Sequence, residues 1–366
     1  MAKRTSLSEQ LDLAVEAIMS MPDWPVPNLE PKVAALMRIA AELRDLPREE
    51  FKARLKRELA AKRGIDTHAG APGLTAAITQ DFTEAQIYAI LEEIEHRPPL
   101  FPHDIGAALE GLPESSMRFL QPVNDLTLVV SYARNPTHWE RHPGGDEMLY
   151  IIDGAAEVIT LTDAGPVTSF ADKGSIYICP RGLWHRQIPR PFVSELSLTP
   201  GPGTEGSGLS DPRVAGAPPI SPEAARVAPP STAGRAIPAY DVGAAAARAI
   251  PLAITKATTA EEANAAYLHL ADLDILSLGV MRFSGPTPWE RHPDGDELLY
   301  ALEGEVEVTT LTGDGPVTRM VRAGEAFVCP RGRWHRQLPK PWVTMLYGTP
   351  AKSTEISFDD DPRGQG

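Results

Sequence analysis

The chain has 366 residues, more than one ordinary hydrophobic core holds, which predicts two or three domains. Apolar residues make up 42% and charged residues 23%, as in a soluble globular protein, and 36 prolines with 29 glycines argue against an all-helical chain. The formal net charge of -14 argues against nucleic acid or an anionic membrane surface as the main partner.

The first helical turns carry no apolar run, because Glu9, Asp12 and Glu16 interrupt them. This pattern excludes a signal peptide or membrane span here and predicts a cytoplasmic location. The two cysteines, Cys179 and Cys329, suit a reducing compartment, and each is predicted to be a small buried side chain.

Residues 1–110 are predicted to form an N-terminal helical region. Ser6 and Glu9 form a capping-box pair, an amphipathic run covers Val33 to Leu43, and Pro47 stands in the first turn of a third helix. The region carries no chemical motif. It can dock on a barrel, cover a pocket or build an interface between copies of the chain.

From Leu126 the pattern changes to short β-rich runs separated by turns that contain Gly, Pro and Asp. Leu126–Val130 and Ser175–Cys179 are two such runs, and Asp163–Pro166 is one such turn. Many short strands punctuated in this way predict an antiparallel barrel or jelly roll.

One stretch of this β-rich part occurs twice, as Trp139–Glu147 and Trp289–Glu297. A second block, Cys179–Gln187, returns as Cys329–Gln337, again 150 residues later. From Thr137 to Tyr150, 11 of 14 positions are identical in the second copy, which predicts two copies of one small domain. The predicted organisation is a helical region 1–110, a barrel 111–200, a Pro/Gly/Ala-rich linker 201–250, a barrel 251–352 and a loose tail 353–366.

Side chains with metal-ligating atoms recur in both copies. Glu290 and His292 lie two residues apart, so that on a strand both face the same side. Glu297 opens the next strand after a turn, and His335 comes from a distant strand. Two imidazoles with one or two carboxylates suit a divalent transition ion, with iron, manganese, nickel, copper and zinc equally compatible. The predicted metal ligands are Glu140, His142, Glu147 and His185 in the first copy and Glu290, His292, Glu297 and His335 in the second.

Three further residues are predicted to meet a substrate. Arg333 stands opposite Leu183 of the first copy and favours an anionic substrate in the second barrel. His138 is a further ligand or proton-transfer group, and Tyr300 either donates a hydrogen bond or packs in the core. The pattern names no catalytic residue.

These segments resemble the cupin superfamily, and the whole chain resembles a bicupin, with two tandem double-stranded β-helix (jelly-roll) barrels. The family's second block, Pro-x-Gly-x-x-His, is intact at Pro330–His335, and six residues separate Glu297 from Gly304. The family's first block contains His-x-His, and Glu290 stands where its first histidine is expected. Either this carboxylate replaces an imidazole, or it turns away and leaves three ligands with open positions.

The resemblance implies a metal ion, up to one per barrel, in a cavity that admits a small molecule. One hypothesis is a metal-dependent oxidoreductase of the oxygenase type, a dioxygenase acting on a small organic acid, diketone or phenol. Hydrolysis, isomerisation and decarboxylation use similar sites. The alternative is a non-catalytic bicupin that binds or senses a ligand, which the near identity of the copies favours. The predicted partners are a small-molecule ligand or substrate and a second copy of the chain in a homo-oligomer.

Overall fold

The computed structural model describes residues 100–201, 203–232, 237–313 and 315–364. The helical region predicted for residues 1–110 therefore lies outside the described residues, except for its last part. Within the described ranges, no helix combines the length and apolar character that crossing a membrane requires.

The described residues are mainly β and form two consecutive barrels, which confirms the predicted fold class. In chain order the first part contains β1 (His103–Asp104), α1 (Ile105–Leu109), β2 (Ser116–Val123), β3 (Leu126–Ala133), β4 (Trp139–Arg141), β5 (Glu147–Thr162), β6 (Gly165–Asp172), β7 (Ser175–Cys179), β8 (Trp184–Pro200), β9 (Glu205–Ser207) and α2 (Pro222–Ala225). The second part contains β10 (Ala239–Asp241), α3 (Val242–Arg248), β11 (Leu252–Ala253), α4 (Ala260–Ala266), β12 (Tyr267–Leu273), β13 (Leu276–Ser284), β14 (Trp289–Arg291), β15 (Glu297–Thr312), β16 (Gly315–Arg322), β17 (Glu325–Cys329), β18 (His335–Pro350), β19 (Glu355–Ser357) and a 3-10 turn (Pro362–Gly364).

Two long strands form the frame of each barrel. The first barrel has the strand order β10-β7-β5-β8-β3-β2, and the second has β1-β17-β15-β18-β13-β11. Register shifts near Asp153 and Gly154 bend β5 against β8, so that the sheet curls. The short strands β4 and β14 pair with the starts of β8 and β18, where the predicted ligands lie.

The two barrels exchange short arms. β1 precedes the first barrel but pairs with β17 of the second, whereas β10 precedes the second barrel but pairs with β7 of the first. Each arm leads into a short helix whose N-cap, Asp104 or Asp241, accepts a backbone hydrogen bond. Ile105 and Val242 open these helices and are both 1% exposed, inside a core shared by the two barrels. The exchange therefore ties the barrels into one packed unit.

Alternation along β8 separates the shared core from the interior of the first barrel. Leu196 and Leu198 belong to the shared core, where each fully buried leucine contributes about 1.5–3 kcal/mol. Glu195 and Thr199 alternate with them and therefore face the barrel interior, where Thr199 donates to Glu147 at 2.7 Å. The alternation of side chains along β8 therefore determines which of them face the predicted metal site.

The segment after each barrel packs back onto that barrel. β9 pairs with β4, and β19 pairs with β14 at positions 150 residues later. Arg213 and Arg363 then donate to the carbonyl oxygens of Thr162 and Thr312, at 3.0 and 3.1 Å. The expectation of a loose tail is therefore wrong for residues 355–363, because this segment repeats the strand that follows the first barrel.

Candidate metal centres

Three strands bring a cluster of carboxylates and imidazoles together in the first barrel. β4 carries Glu140 and leads to His142, β5 begins with Glu147, and β8 carries His185. One ligand atom of each residue lies within 4.8 Å of the others. His142, Glu147 and His185 are buried, whereas the Glu140 side chain is 32% exposed. The cluster is thus reachable from one side.

The second barrel forms an equivalent cluster. His335 Nε2 lies 3.0 Å from Glu297 Oε2 and 3.6 Å from Glu290 Oε1, and His292 Nε2 lies 3.6 Å from Glu297 Oε1. Cys329 offers an atom within 4.8 Å of those of Glu297 and His335, and burial raises the pKa of its thiol to about 11. Of the two arrangements that the sequence leaves open, the structure has Glu290 turned toward the imidazoles, as does its counterpart in the first barrel.

The second nitrogen of each imidazole has its own partner. His185 Nδ1 lies 3.2 Å from Leu183 O, and His335 Nδ1 lies 3.1 Å from Arg333 O. Because a carbonyl oxygen only accepts, Nδ1 carries the proton, and in the neutral ring Nε2 offers its lone pair to the cluster. Such outer contacts orient the histidine ligands of metal sites. The remaining contacts are His142 Nδ1 with Thr204 Oγ1 at 2.9 Å and His292 Nδ1 with Thr354 Oγ1 at 3.1 Å.

The charges of the first cluster depend on one another. Burial alone raises the pKa of Glu147, but its interactions with the imidazoles of His142 and His185 outweigh burial and hold that pKa well below its ordinary value. Burial, followed by the Glu147 carboxylate, raises the pKa of Glu140. Burial lowers the pKa of His185, but Glu147 outweighs burial and raises it. The carboxylates are therefore stable together only beside positive charge, which protons or a cation can supply.

The nitrogen atoms that face the carboxylates fit a bound cation. His142 Nε2 and His292 Nε2 are buried and, among the described residues, make no hydrogen bond. In the first barrel the donor atoms stand 3.1, 3.3 and 3.8 Å apart. Ligands at roughly 2.1 Å from one ion stand roughly 3.0–3.4 Å from one another. The donor set and its spacing thus suit a divalent transition ion.

A family match decides the assignment. Residues 280–337, which carry the second cluster from Glu290 to His335, match the family described as Cupin domain (Cupin_2). The first barrel repeats this sequence 150 residues earlier and has an equivalent order of strands. The second barrel matches a cupin domain, and the chain has the two-barrel architecture of a bicupin. The resemblance that rested on the motifs is thereby confirmed.

Two curated proteins match short parts of this bicupin. Germin-like protein subfamily 2 member 2 of Arabidopsis thaliana is 39% identical over 70 residues, which are 18% of this chain and 32% of that protein. The uncharacterized protein YdbB of Bacillus subtilis (strain 168) is 35% identical over 54 residues, 15% of this chain and 45% of that protein. The bicupin thus spans less than half the length of these relatives.

Solved structures resemble the bicupin over most of its length. Oxalate decarboxylase from Bacillus subtilis has a TM-score of 0.46 and 13% identity, over 80% of this chain and 87% of the other. A cupin 2 conserved barrel domain protein from Leptotrichia buccalis has a TM-score of 0.42 and 13% identity, over 68% of this chain and 95% of the other. At this identity the likeness concerns the fold and assigns no reaction.

Each barrel of the bicupin contacts the loop that leads to the candidate ligand Glu147 or Glu297 of the other barrel. Asn124, in the turn between β2 and β3, donates from its backbone N to Asp296 Oδ2 at 2.9 Å, and Asp296 N donates to Asn124 Oδ1 at 2.6 Å. Asp296 precedes Glu297 and also accepts from Arg331 N at 2.7 Å. Gly295 leaves room for this contact, since a Cβ there would lie 2.6 Å from Asn124 Oδ1. The reciprocal contacts run from Asp274 to Asp146 N and to the Arg181 guanidinium.

Asn124→Ala is expected to lower the ion affinity of the second barrel about tenfold, as loss of an outer-shell contact does. The cause is local, because Asp296 loses the acceptor that holds the loop leading to Glu297. Competition with a chelator measures the affinity, on a His185→Ala background that leaves only the second barrel to bind. Exposed Asn135→Ala is the matched control, and an unchanged affinity of the second barrel in Asn124→Ala would contradict the prediction.

The three residues predicted to meet a substrate lie in different environments. Arg333 lines a surface groove of about 860 Å³ beside the C-terminal segment. His138 is exposed, beside Gly208. Tyr300 lies in the shared core, with its ring 5.5 Å from that of Tyr150, and burial raises its pKa to about 12. Its side chain thus occupies the face of β15 opposite the barrel interior.

Residues around the clusters escaped the sequence analysis. The hydroxyls of Thr199 and Thr349 donate to Glu147 and Glu297, and both threonines recur at the interval of 150 residues. Their repetition is a signal that was available, as it was for Thr204 and Thr354. Glu195 has no such signal, because Met345 occupies its place in the second copy.

Proposed function

We propose that the bicupin is a metal-dependent enzyme in which each barrel holds one divalent transition ion. The observation that carries this proposal is the pair of buried imidazole nitrogens, His142 Nε2 and His292 Nε2. Within the described ranges they make no hydrogen bond, although they lie 3.3 and 3.6 Å from the carboxylates of Glu147 and Glu297. The proposed ligands are Glu140, His142, Glu147 and His185 in the first barrel and Glu290, His292, Glu297 and His335 in the second.

Each ligand has a definable part in this proposal. The imidazoles of His185 and His335 offer Nε2 because their Nδ1 protons are donated to backbone carbonyls. Two carboxylates per cluster balance the charge of a divalent cation. Thr199 holds the Glu147 oxygen that faces away from His185, which fixes the carboxylate plane. A bound ion supplies a Lewis acid whose open positions accept a small molecule.

The reaction that we infer is of the oxygenase type, on a small organic acid, diketone or phenol. Two imidazoles with a carboxylate and open positions are the ligand set of many non-haem iron oxygenases, which supports this inference. Decarboxylation, isomerisation and hydrolysis use related sites, so the test must compare aerobic with anaerobic conditions.

Elemental analysis of protein purified without a chelator is expected to find a transition metal at up to two ions per chain. Oxygen-electrode measurements with small organic acids, diketones and phenols are expected to show uptake that a chelator abolishes and added metal restores. Uptake that is insensitive to the chelator would contradict the proposal, as would a chain that neither carries nor takes up a transition metal.

A non-catalytic ligand-binding role is the second candidate. The observation that favours it is the near identity of the two copies, since 11 of 14 positions from Thr137 to Tyr150 recur in the second copy. A bicupin with this role would hold its ions and bind a candidate ligand but convert none of it, with or without oxygen.

A further inference from the structure

The interiors of the two barrels differ beside otherwise equivalent metal clusters. Ser131 pairs with Glu195 across β3 and β8 in the first barrel, and Met281 pairs with Met345 at the same place in the second. Glu195 shares a strand face with Thr199, which donates to the ligand candidate Glu147. One barrel therefore has a carboxylate near its cluster where the other has two thioethers.

The second barrel fills this space with its own side chains. Met281, Met345 and Tyr347 pack in one cluster that also contains Phe283. Gly279 makes room for the tyrosine, since a Cβ at this glycine would lie 2.3 Å from Tyr347 Oη. The first barrel has the opposite arrangement, with the small Ser197 opposite Val129. The second barrel thus has Tyr347 and Met345 at the positions that Ser197 and Glu195 occupy in the first.

Only one oxygen of the Glu195 carboxylate accepts hydrogen bonds from neighbouring side chains. Its side chain is buried, at 3% exposure, and its Oε2 accepts from Gln187 Nε2 at 3.0 Å and from Ser131 Oγ at 3.2 Å. Among the residues that the structure describes, Glu195 Oε1 and Gln187 Oε1 have no hydrogen-bond partner; Gln337 Oε1 is equally unpartnered in the second barrel, where Met345 replaces Glu195. Because a buried polar atom without a partner is costly, the unpartnered Glu195 oxygen, which has no counterpart in the second barrel, indicates a missing ligand.

The chemistry of these atoms defines what they bind. The charges that act on Glu195 are the carboxylates of Glu147 and Glu140, and burial raises the pKa of Glu195 to about 7. Because both hydrogen bonds enter Oε2, the neutral form carries its proton on Oε1 and donates it, whereas the ionised form accepts. Gln187 Oε1 only accepts. A hydroxyl group both donates and accepts and matches this pair, whereas an anion would face carboxylates of its own sign.

We propose that the first barrel, and not the second, binds a small neutral molecule with adjacent hydroxyl groups beside its metal cluster, with Glu195 and Gln187 as its contacts. This inference rests on the proposed function, because the hydroxyl groups bind next to the ion. Of the proposed substrates it keeps phenols, now with neighbouring hydroxyls, and it excludes organic acids and diketones. It adds polyols.

The test separates the barrels within the full chain. His335→Ala leaves the first cluster intact, His185→Ala leaves the second, and each chain is loaded with Mn(II). The relaxation rate of water protons reports the water molecules bound to the ion. Catechol and the neutral tetraol erythritol are the probes, and the dianion oxalate is the comparison. A saturable fall in relaxation rate is expected for the hydroxyl probes in the His335→Ala chain only.

Two substitutions in the His335→Ala chain connect the response to Glu195. Glu195→Met, which copies the second barrel, is expected to raise the Kd of the hydroxyl probes at least tenfold at unchanged Mn(II) content. Glu195→Gln keeps the shape and the hydrogen-bonding atoms and is expected to keep most of the affinity. An equal response of both barrels, a response to oxalate alone, or an unchanged Kd in both variants would overturn the inference. Failure of Mn(II) to bind appears before any probe is added and would overturn the proposed function and this inference together.

Discussion

His335→Ala is expected to remove one bound ion per chain and to leave the other in place. The Nε2 atom of His335 lies 3.0 Å from Glu297, and its Nδ1 contacts Arg333 O. Nε2 is therefore the ligand atom of this ring, and alanine removes it. Loss of outer-shell support alone costs roughly 10–100-fold in affinity, and loss of the ligand itself costs at least as much. His185→Ala is expected to remove the other ion, and the double variant both.

Elemental analysis after dialysis against a weak chelator measures this result. The matched control is His269→Ala, because the His269 side chain is 54% exposed and pairs with Asp272 on the surface. Metal content should stay unchanged in this control. An unchanged content in His335→Ala would contradict the ligand assignment in the second barrel.

Local spacing is what made the clusters predictable from the sequence. Glu290 and His292 stand two residues apart, which on any strand places both on one face. Glu297 follows within one turn, and the repeat returns the same residues 150 positions earlier. These features hold whatever the rest of the fold does. Many short strands with Gly and Pro turns predicted an antiparallel barrel or jelly roll, and the resemblance to cupins implied the jelly roll.

Long-range contacts were not predictable in this way. Asn124 and Asp296 are 172 residues apart, and neither belongs to a motif that requires the other. β1 lies before the first barrel in the chain but pairs with the second. This pairing depends on the packing of Ile105 into the shared core and not on the sequence of β1 itself. Gly295 lies in the turn before Glu297, and the space that Asn124 needs explains why a glycine stands there.

The difference between the barrels also depends on strand phase. The sequence analysis singled out Arg333 because it is charged where the first copy has Leu183. In the structure Arg333 lies at a surface groove. Glu195 stands in an apolar strand and becomes informative only once Leu196 and Leu198 are seen to face the shared core. The charge that distinguishes the barrel interiors is therefore an acid in the first barrel and not a base in the second.

Glu195→Gln is expected to stabilise the metal-free chain at pH 8 and to have little effect near pH 5. Burial raises the pKa of Glu195 from 4.5 to about 7, so the folded chain binds more protons than the unfolded chain between these values. Stability therefore falls as pH rises through this window, by roughly 3 kcal/mol in total for this group. Glutamine avoids that loss because it never ionises.

The groups around Glu195 act on its pKa in both directions. Burial and the carboxylates of Glu147 on β5 and Glu140 on β4 raise that pKa, and they outweigh the hydrogen bonds from Gln187 and Ser131, which lower it. Urea unfolding with a chelator present, from pH 5 to pH 8, measures the difference between Glu195→Gln and the unchanged chain, which should shrink to under about 1 kcal/mol at pH 5. Met345→Gln is the control in the second barrel, where no carboxylate is replaced and the difference should stay flat with pH. An advantage of Glu195→Gln that grew toward low pH would mean that Glu195 is ionised in the folded chain, beside a cation that the structure does not place there.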